Sequence, residues 1–274
     1  MTLEQFCKRW NLQSPEQIAT TPTSSVYKVI QSGETRILKL YTDLGRNCES
    51  EAPYFFKTCK GRGVADIYQF NDDGMVMEYI TGKTLKSLID ENRDKEATQI
   101  IAQTLRAIHN APQNYDHHFQ TLEQRFESLF RHAAISGTPD IVKRAAFLAK
   151  SMLRKQSETR LLHGDMHHDN IMQRDNGDWV AIDPQPLIGD PAYDCANTLH
   201  NPHQTPQLTE NIDRLLKQAK ILAQTLEISQ QKIINYAYIH GCLSTCWSED
   251  DGTDTFSKCL ALKTSEILEP HAKH

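Results

Sequence analysis

Apolar and polar positions along this chain change their period once, near residue 82. Before that point apolar residues alternate with polar ones in short runs. The alternation predicts antiparallel strands over 25–30 and 36–41, turning at Ser32-Gly33. A second pair follows over 64–70 and 75–80, turning at Asp72-Asp73-Gly74. One helix, 49–58, separates the pairs. Beyond Thr81-Gly82 apolar residues recur at helical spacing over 97–108, 122–134, 141–153, 208–225, 231–247 and 255–268. The expectation is an α+β, bilobed chain. A β-rich lobe spans 1–80, a linker 81–83 and a helical lobe 84–274, with a ligand cleft between the lobes.

The helical half is interrupted once. Leu161-Leu162, Ile171-Met172 and residues 179–182 are short apolar runs that predict strands. Asn176-Gly177 predicts a two-residue type I′ hairpin turn, in which both central residues need positive φ. That hairpin folds Asp183 back towards Asn170. His163, Asp165 and Asn170 fill the pattern H-x-D-x-x-x-x-N, and Asp183 follows at the distance of a second metal ligand. In phosphoryl transfer Asp165 would sit beside a substrate hydroxyl as catalytic base. Asn170 and Asp183 would hold Mg²⁺, which prefers hard oxygen ligands. His163 would brace the loop. His-Gly-Asp alone is a common loop tripeptide; the spacing of all four residues carries the reading. His167 and His168 are adjacent, so their side chains point apart, and His167 is the one assigned to the acceptor side.

Lys39 lies inside the apolar strand 36–41. An edge strand can carry such a lysine in solvent. In a small lobe of this kind the same position grips nucleotide phosphates and is held by a helix glutamate. Glu51 is the first choice of partner and Glu49 the second. Glu78 and Ile80 belong to an extended hinge whose backbone would recognise the adenine of ATP. Ser24 and Ser25 would offer N–H and O–H groups to its phosphates. Asp190 and Pro191 read as N-cap and first residue of a helix, and Asp190 is also a candidate on the substrate side. Trp247, Glu249, Asp250, Asp251 and Asp254 form an acidic run beside an aromatic ring. It is either a solvated helix end or a binding site for cationic groups.

The chain has 274 residues and a formal net charge of −5. That charge argues against a nucleic-acid partner and suits a small cationic acceptor. No stretch approaches the ~20 apolar residues of a membrane span. Residues 1–5 lack the basic and apolar regions of a signal peptide, and Thr2 with Gln5 reads as a capping box. Seven scattered cysteines fit reduced thiols in the cytoplasm. His240, Cys242 and Cys246 lie close together, but their surroundings are helical and apolar, which favours buried thiols over zinc. The expected assembly is a monomer or a weak dimer.

The stretch 161–196 reads L-L-H-G-D-M-H-H-D-N-I-M, then W-V-A-I-D-P, then I-G-D-P-A-Y-D-C-A. It resembles the aminoglycoside phosphotransferase branch of the kinase-like superfamily. More narrowly it resembles the aminoglycoside 6-phosphotransferase group, the streptomycin and hydroxyurea resistance kinases. That group has H-G-D-L-H-H-x-N-I-L, A-I-D-P and G-D-P-A-Y-D. Weaker matches at Gly61-Arg62-Gly63-Val64, Met77-Glu78-Tyr79 and 243–250 extend the resemblance over most of the chain. One departure is the loop 21–25, which has no glycine. The resemblance implies a protein-kinase-like fold and ATP- and Mg²⁺-dependent transfer of the γ-phosphoryl group to an alcohol of an aminoglycoside such as streptomycin. It also implies that Asp194 hydrogen-bonds the catalytic-loop backbone. Two alternatives stay open. One is a housekeeping kinase of a sugar or amino alcohol. The other is a nucleotide-binding pseudokinase, opposed by the retention of Lys39, Asp165, Asn170 and Asp183.

Overall fold

A computed structural model describes residues 2–115, 117–203, 205–253 and 259–273. Helix α1 (Leu3–Trp10) opens with the expected capping box: Gln5 N donates to Thr2 Oγ1 and Thr2 N donates to Gln5 Oε1. Strands β1 (Leu12–Thr20), β2 (Ser24–Gln31) and β3 (Glu34–Tyr41) follow. Then come α2 (Asp43–Cys48), α3 (Ala52–Thr58), β4 (Ile67–Asn71) and β5 (Gly74–Glu78). The five strands form one antiparallel sheet in the order β1-β2-β3-β5-β4.

Strand period decides what the sheet presents to each side. Leu38 of β3 is fully buried with Val29, Val76, Phe6 and Trp10 beneath α1. Each such apolar side chain contributes about 1.5–3 kcal/mol when fully buried. Its neighbours Ile37 and Lys39 point to the opposite face, opposite Met77 and Met75 of β5. A central strand therefore carries the lysine, and its ammonium faces the cleft.

Two small-lobe expectations change. Strand β1 was not visible as a pattern, because it is an exposed edge strand with bulges around Pro15. Proline is tolerated at such irregular edges because no ladder hydrogen bond is lost. The helix expected over 49–58 starts later, as α3 at Ala52, and a separate helix α2 ends before it. Pro53 occupies the first turn of α3, and Glu49 is left as the C-cap of α2.

The chain leaves the sheet after Glu78. Helices α4 (Lys86–Asp90) and α5 (Asp94–His109) follow, then the two-residue strand β6 (Gln120–Thr121). The helix expected over 122–134 is split at Phe126 into α6 (Leu122–Arg125) and α7 (Glu127–Ala133). Helix α8 (Asp140–Arg154) leads into β7 (Arg160–Leu162), β8 (Ile171–Gln173), β9 (Trp179–Ala181) and β10 (Leu187–Gly189). The remainder is helical: α9 (Ala196–Leu199), α10 (Pro206–Thr209), α11 (Ile212–Leu226), α12 (Gln230–Asp250) and α13 (Leu260–Leu268). The expected start of the last helix, 255–258, lies outside the described residues. Among the described residues no helix is long and apolar enough to cross a membrane.

The β8–β9 hairpin forms where expected, but its turn differs. Arg174 N donates to Asp178 O and Gly177 N to Arg174 O, and of Asn176 and Gly177 only the glycine has positive φ, +92°. This is a three-residue loop closed by a left-handed glycine. The hairpin is fastened to the first lobe and the linker. Ala181 N donates to Gly63 O, Ala65 N to Ala181 O, Gln173 N to Lys83 O and Leu85 N to Ile171 O. Arg174 adds an ion pair to Glu78, Nε to Oε1 at 2.6 Å.

Candidate active site

The loop between β7 and β8 is built on one buried carboxylate. Asp194 accepts from His163 N at 2.9 Å and Gly164 N at 2.7 Å, and lies 2.9 Å from His109 Nε2. Burial alone would raise its pKa. The hydrogen bond and charge of His109, with His163 and Gly164, outweigh that and hold it below the ordinary carboxylate value. Gly164 is required here. Its φ is +78°, and an added Cβ would lie 1.9 Å from Gln185 O.

Asp194→Ala is expected to lower stability at neutral pH by about 3 kcal/mol, since it strands buried donors. Because the folded-state pKa is depressed, this contribution is present above the unfolded pKa and is lost as pH falls through the folded one. Urea melts of both proteins should converge in acid; a gap that stays constant would refute the assignment.

His163 is fully buried, and burial lowers its pKa, so the ring is neutral. Its Nε2–H donates to Ile182 O at 2.9 Å, leaving Nδ1 to accept from Asp165 N at 3.3 Å. The ring braces the loop against the residue preceding Asp183. Asp165 stands half-buried between two amides. Its Oδ1 accepts from Asn197 Nδ2 at 2.7 Å and its Oδ2 from Asn170 Nδ2 at 3.1 Å. Burial raises its pKa. His167 Nε2 lies 3.9 Å from Asp165 Oδ2, so this histidine does face the carboxylate.

Asn197 is the residue that sequence reasoning missed. It lies three positions after Asp194 at the start of α9. Positions three apart share a helical face, so one carboxylate and one amide reach the same loop.

Lys39 Nζ lies 2.9 Å from Asp183 Oδ1 and 2.5 Å from Glu49 Oε2. Burial alone would lower its pKa; the charges of Asp183 and Glu49 more than reverse this. The first choice of partner, Glu51, is corrected. It is the N-cap residue of α3, and its carboxylate lies beside His117 and Gln120 N. Asp183 has φ +51°, an aspartate-tolerant left-handed conformation. Its side chain is 49 % exposed in the cleft, which leaves Oδ2 open. Asn170 spends its Nδ2 on Asp165, which turns Oδ1 elsewhere. One carboxylate and one amide oxygen beside a cleft fit Mg²⁺, which takes few protein ligands and completes its shell with phosphate and water. Among the described residues no group of three His, Cys, Asp or Glu forms a closed metal site.

Two adjoining cavities meet at Lys39 and Asp183. One, of about 240 Å³, is apolar and lined by Val26, Ile37, Met77, Ile80, Met172 and Ile182. The other, of about 230 Å³, brings together Lys39, Glu49, Asp165, Asn170, Asp183 and Gln185. Tyr79 and Ile80 line the apolar cavity just beyond β5. The Glu78 carboxylate is held by Arg174 and Asp66 N, so only its backbone faces a ligand.

Ser24 lines the apolar cavity, but its N–H is not available to phosphates. Ser24 N donates to Thr21 Oγ1 and its hydroxyl meets the same oxygen, while Ser25 is paired within the sheet to Thr20 and Leu40. The glycine-free turn is instead tied down by Thr42, whose N donates to Thr23 O and whose Oγ1 donates to Pro22 O.

The acidic residues mostly serve packing. Asp190 is buried; it accepts from Ala192 N at 3.0 Å and from Lys232 Nζ at 2.7 Å, so it is corrected as a substrate residue. Asp250 accepts from Arg131, His132 and Ser128 at 2.5, 2.8 and 2.6 Å. Arg131 foremost holds its pKa far below normal. It braces α12 against α7 and is likewise corrected. Glu249 is exposed, and Asp254 lies outside the described residues. Trp247 lines a cavity of about 410 Å³ with Gln120, Gln124, Arg125, Glu127 and Arg131.

The profile of the aminoglycoside/hydroxyurea antibiotic resistance kinases matches residues 9–252. The chain is 28 % identical to the streptomycin 3″-kinase of Klebsiella pneumoniae, over 89 % of this chain and 91 % of that one. It is 24 % identical to the streptomycin 6-kinase of Streptomyces griseus, over 96 % and 87 %. A crystal structure of aminoglycoside phosphotransferase APH(4)-Ia with AMP-PNP and hygromycin B superposes with a TM-score of 0.71. Coverage of both chains is 100 % and identity 16 %, which establishes the shared bilobed fold.

Proposed function

Since the chain belongs to the aminoglycoside/hydroxyurea antibiotic resistance kinases, we propose that it transfers the γ-phosphoryl group of ATP to a hydroxyl of an aminoglycoside, with streptomycin the first candidate. It is a phosphotransferase with an alcohol acceptor. The observation that carries the residue assignment is the set Lys39, Asp183, Asn170 and Asp165 lining one cavity that shares Lys39 and Asp183 with an apolar slot of adenine size.

Adenine lies in the slot against Met77 to Ile80, and Lys39, oriented by Glu49, grips the phosphates. Asn170 and Asp183 hold Mg²⁺, which when bound neutralises phosphate charge. Asp165 receives the acceptor hydroxyl between Asn170 and Asn197 and takes its proton. The hydroxyl oxygen bonds to the γ-phosphorus as the bond to the bridging β–γ oxygen breaks, and ADP leaves. Little covalent chemistry falls to the protein; positioning and charge supply the rate. The raised pKa of Asp165 makes it a better base than an ordinary aspartate.

Purified protein should release ADP from Mg-ATP only when streptomycin is present, and the antibiotic should gain one phosphoryl group by mass spectrometry. ADP release with a sugar or amino alcohol and none with streptomycin would reject the aminoglycoside reading and leave a metabolite kinase. Nucleotide binding without any acceptor turnover would reject both.

A further inference from the structure

Asp165 is held by an amide that is itself held. Asn197 donates from Nδ2 to Asp165 Oδ1 at 2.7 Å. The other end of that amide meets Asn201, which is buried. Asn201 Nδ2 donates to Asn197 O at 2.9 Å and to Asn197 Oδ1 at 3.0 Å. The turn that ends α9 keeps Asn201 N bonded to Thr198 O at 3.2 Å, so the Asn201 side chain returns to Asn197.

An asparagine amide has a donating end and an accepting end, so its orientation is a chemical choice. A backbone carbonyl only accepts. The group of Asn201 beside Asn197 O is therefore its NH₂. The same NH₂ also needs an acceptor at the Asn197 side chain, and this fixes the oxygen end of Asn197 towards Asn201. The NH₂ end is left for Asp165, which as a carboxylate also only accepts. Turned over, the Asn197 amide would set oxygen against carboxylate and NH₂ against NH₂. Both hydrogen bonds would be lost together.

Asn201 has an anchor outside the catalytic loop. Its carbonyl accepts from Arg214 Nη2 at 3.3 Å. Arg214 of α11 is buried and pairs with Asp94 at the start of α5, Nε and Nη2 reaching the two carboxylate oxygens at 2.9 and 2.8 Å. Its Nη1 donates to Leu208 O at 3.3 Å. A planar guanidinium bonded in this two-pronged way keeps one orientation. A continuous chain of hydrogen bonds thus runs from α5 and α11 through Asn201 and Asn197 to Asp165.

We infer that Asn201 is a positioning residue of the reaction: it fixes the Asn197 amide as a donor, which keeps the Asp165 carboxylate aimed at the acceptor hydroxyl. The inference rests on the kinase reading for the role of Asp165. Asn201 touches no reacting atom and acts through Asn197. A misplaced base costs turnover, not ground-state binding.

Asn197→Ala removes the donor and should lower kcat by about tenfold or more, the worth of a hydrogen bond to a charged group. Asn201→Ala frees the amide and should lower kcat by about three- to tenfold. In both variants KM for ATP and for streptomycin should stay within about twofold, which also reports a folded protein. The deciding comparison is the double variant. If Asn201 acts through Asn197, its kcat should match that of Asn197→Ala within about twofold. Losses that multiply, or a raised KM with kcat intact, would overturn the inference and leave the kinase reading standing. Asn201→Asp keeps the volume, so it remains informative should alanine cost the fold. It puts oxygen where the NH₂ was, and its kcat should fall below that of Asn201→Ala. Wild-type kcat in Asn201→Asp would equally overturn the inference.

A measurement without turnover separates the two readings. NMR of the whole protein identifies the Asn197 side-chain amide by its loss in Asn197→Ala. That amide should exchange with solvent slowly in the wild type and at least about tenfold faster in Asn201→Ala. This result in a protein that phosphorylates no acceptor would uphold the hold on Asn197 and fail the kinase reading. Equal exchange in the two proteins would overturn the hold.

Discussion

Asp165→Asn is expected to lower kcat by about 10²–10⁴-fold while ATP affinity stays within a small factor, because general-base catalysis has that worth and the phosphate grip is elsewhere. The substitution keeps volume and shape. It replaces one carboxylate oxygen by an NH₂ facing an amide donor, either that of Asn170 or that of Asn197. The variant loses the proton acceptor and one hydrogen bond. Its pH profile is a second test. Wild-type kcat/KM should fall with acidity at a pH above that of an ordinary aspartate, since burial raises this pKa. Activity is present above the pKa and lost below it. The variant should lack that limb. More than about a tenth of wild-type kcat would remove Asp165 from the role of base.

Asp183→Ala is expected to act in opposite directions with and without metal. In Mg²⁺ its ATP affinity should drop at least roughly tenfold, because one of two protein oxygens is gone. In EDTA its affinity should equal or exceed wild type, because Asp183 no longer competes with phosphate for Lys39 Nζ, now 2.9 Å away. Alanine at φ +51° adds backbone strain of about 1–2 kcal/mol, so Asp183→Gly should be run beside it to separate strain from ligation. Asn170→Ala should share the Mg²⁺ defect, at equal or smaller size. Calorimetric titrations under both conditions decide this; a loss of affinity that is equal with and without metal would point to the fold instead of to Mg²⁺.

What could be read in advance depended on how far each partner lies along the chain. His163, Asp165, Asn170 and Asp183 fall within 21 positions, and one loop and one hairpin bring them together. Their pattern is local, so it is visible. Lys39 was visible because a lysine in an apolar central strand has few other reasons to be there. Its glutamate was misassigned because Pro53 starts a new helix after Glu51 and leaves Glu49 at the end of the previous one. Asp190 and Asp250 looked available because their partners, Lys232 and Arg131, stand 42 and 119 residues away. The edge strand Leu12–Thr20 lacks alternation because nearly all of it is exposed.

The hairpin β8–β9 bears Asn170 at its entrance and Asp183 at its exit, and it is sewn to residues 63–65 and 83–85. Those two side chains are thereby mechanical property of the nucleotide half, although they lie in sequence among the helices. The faces of α9, α12 and α13 hold no such stitch to the first lobe among the backbone hydrogen bonds of the described residues. Of these helices α9 reaches the catalytic loop through side chains, Asn197 to Asp165 and Thr198 to Met166 O. Changes in the described parts of α12 and α13 therefore leave Asn170 and Asp183 anchored where the nucleotide half holds them.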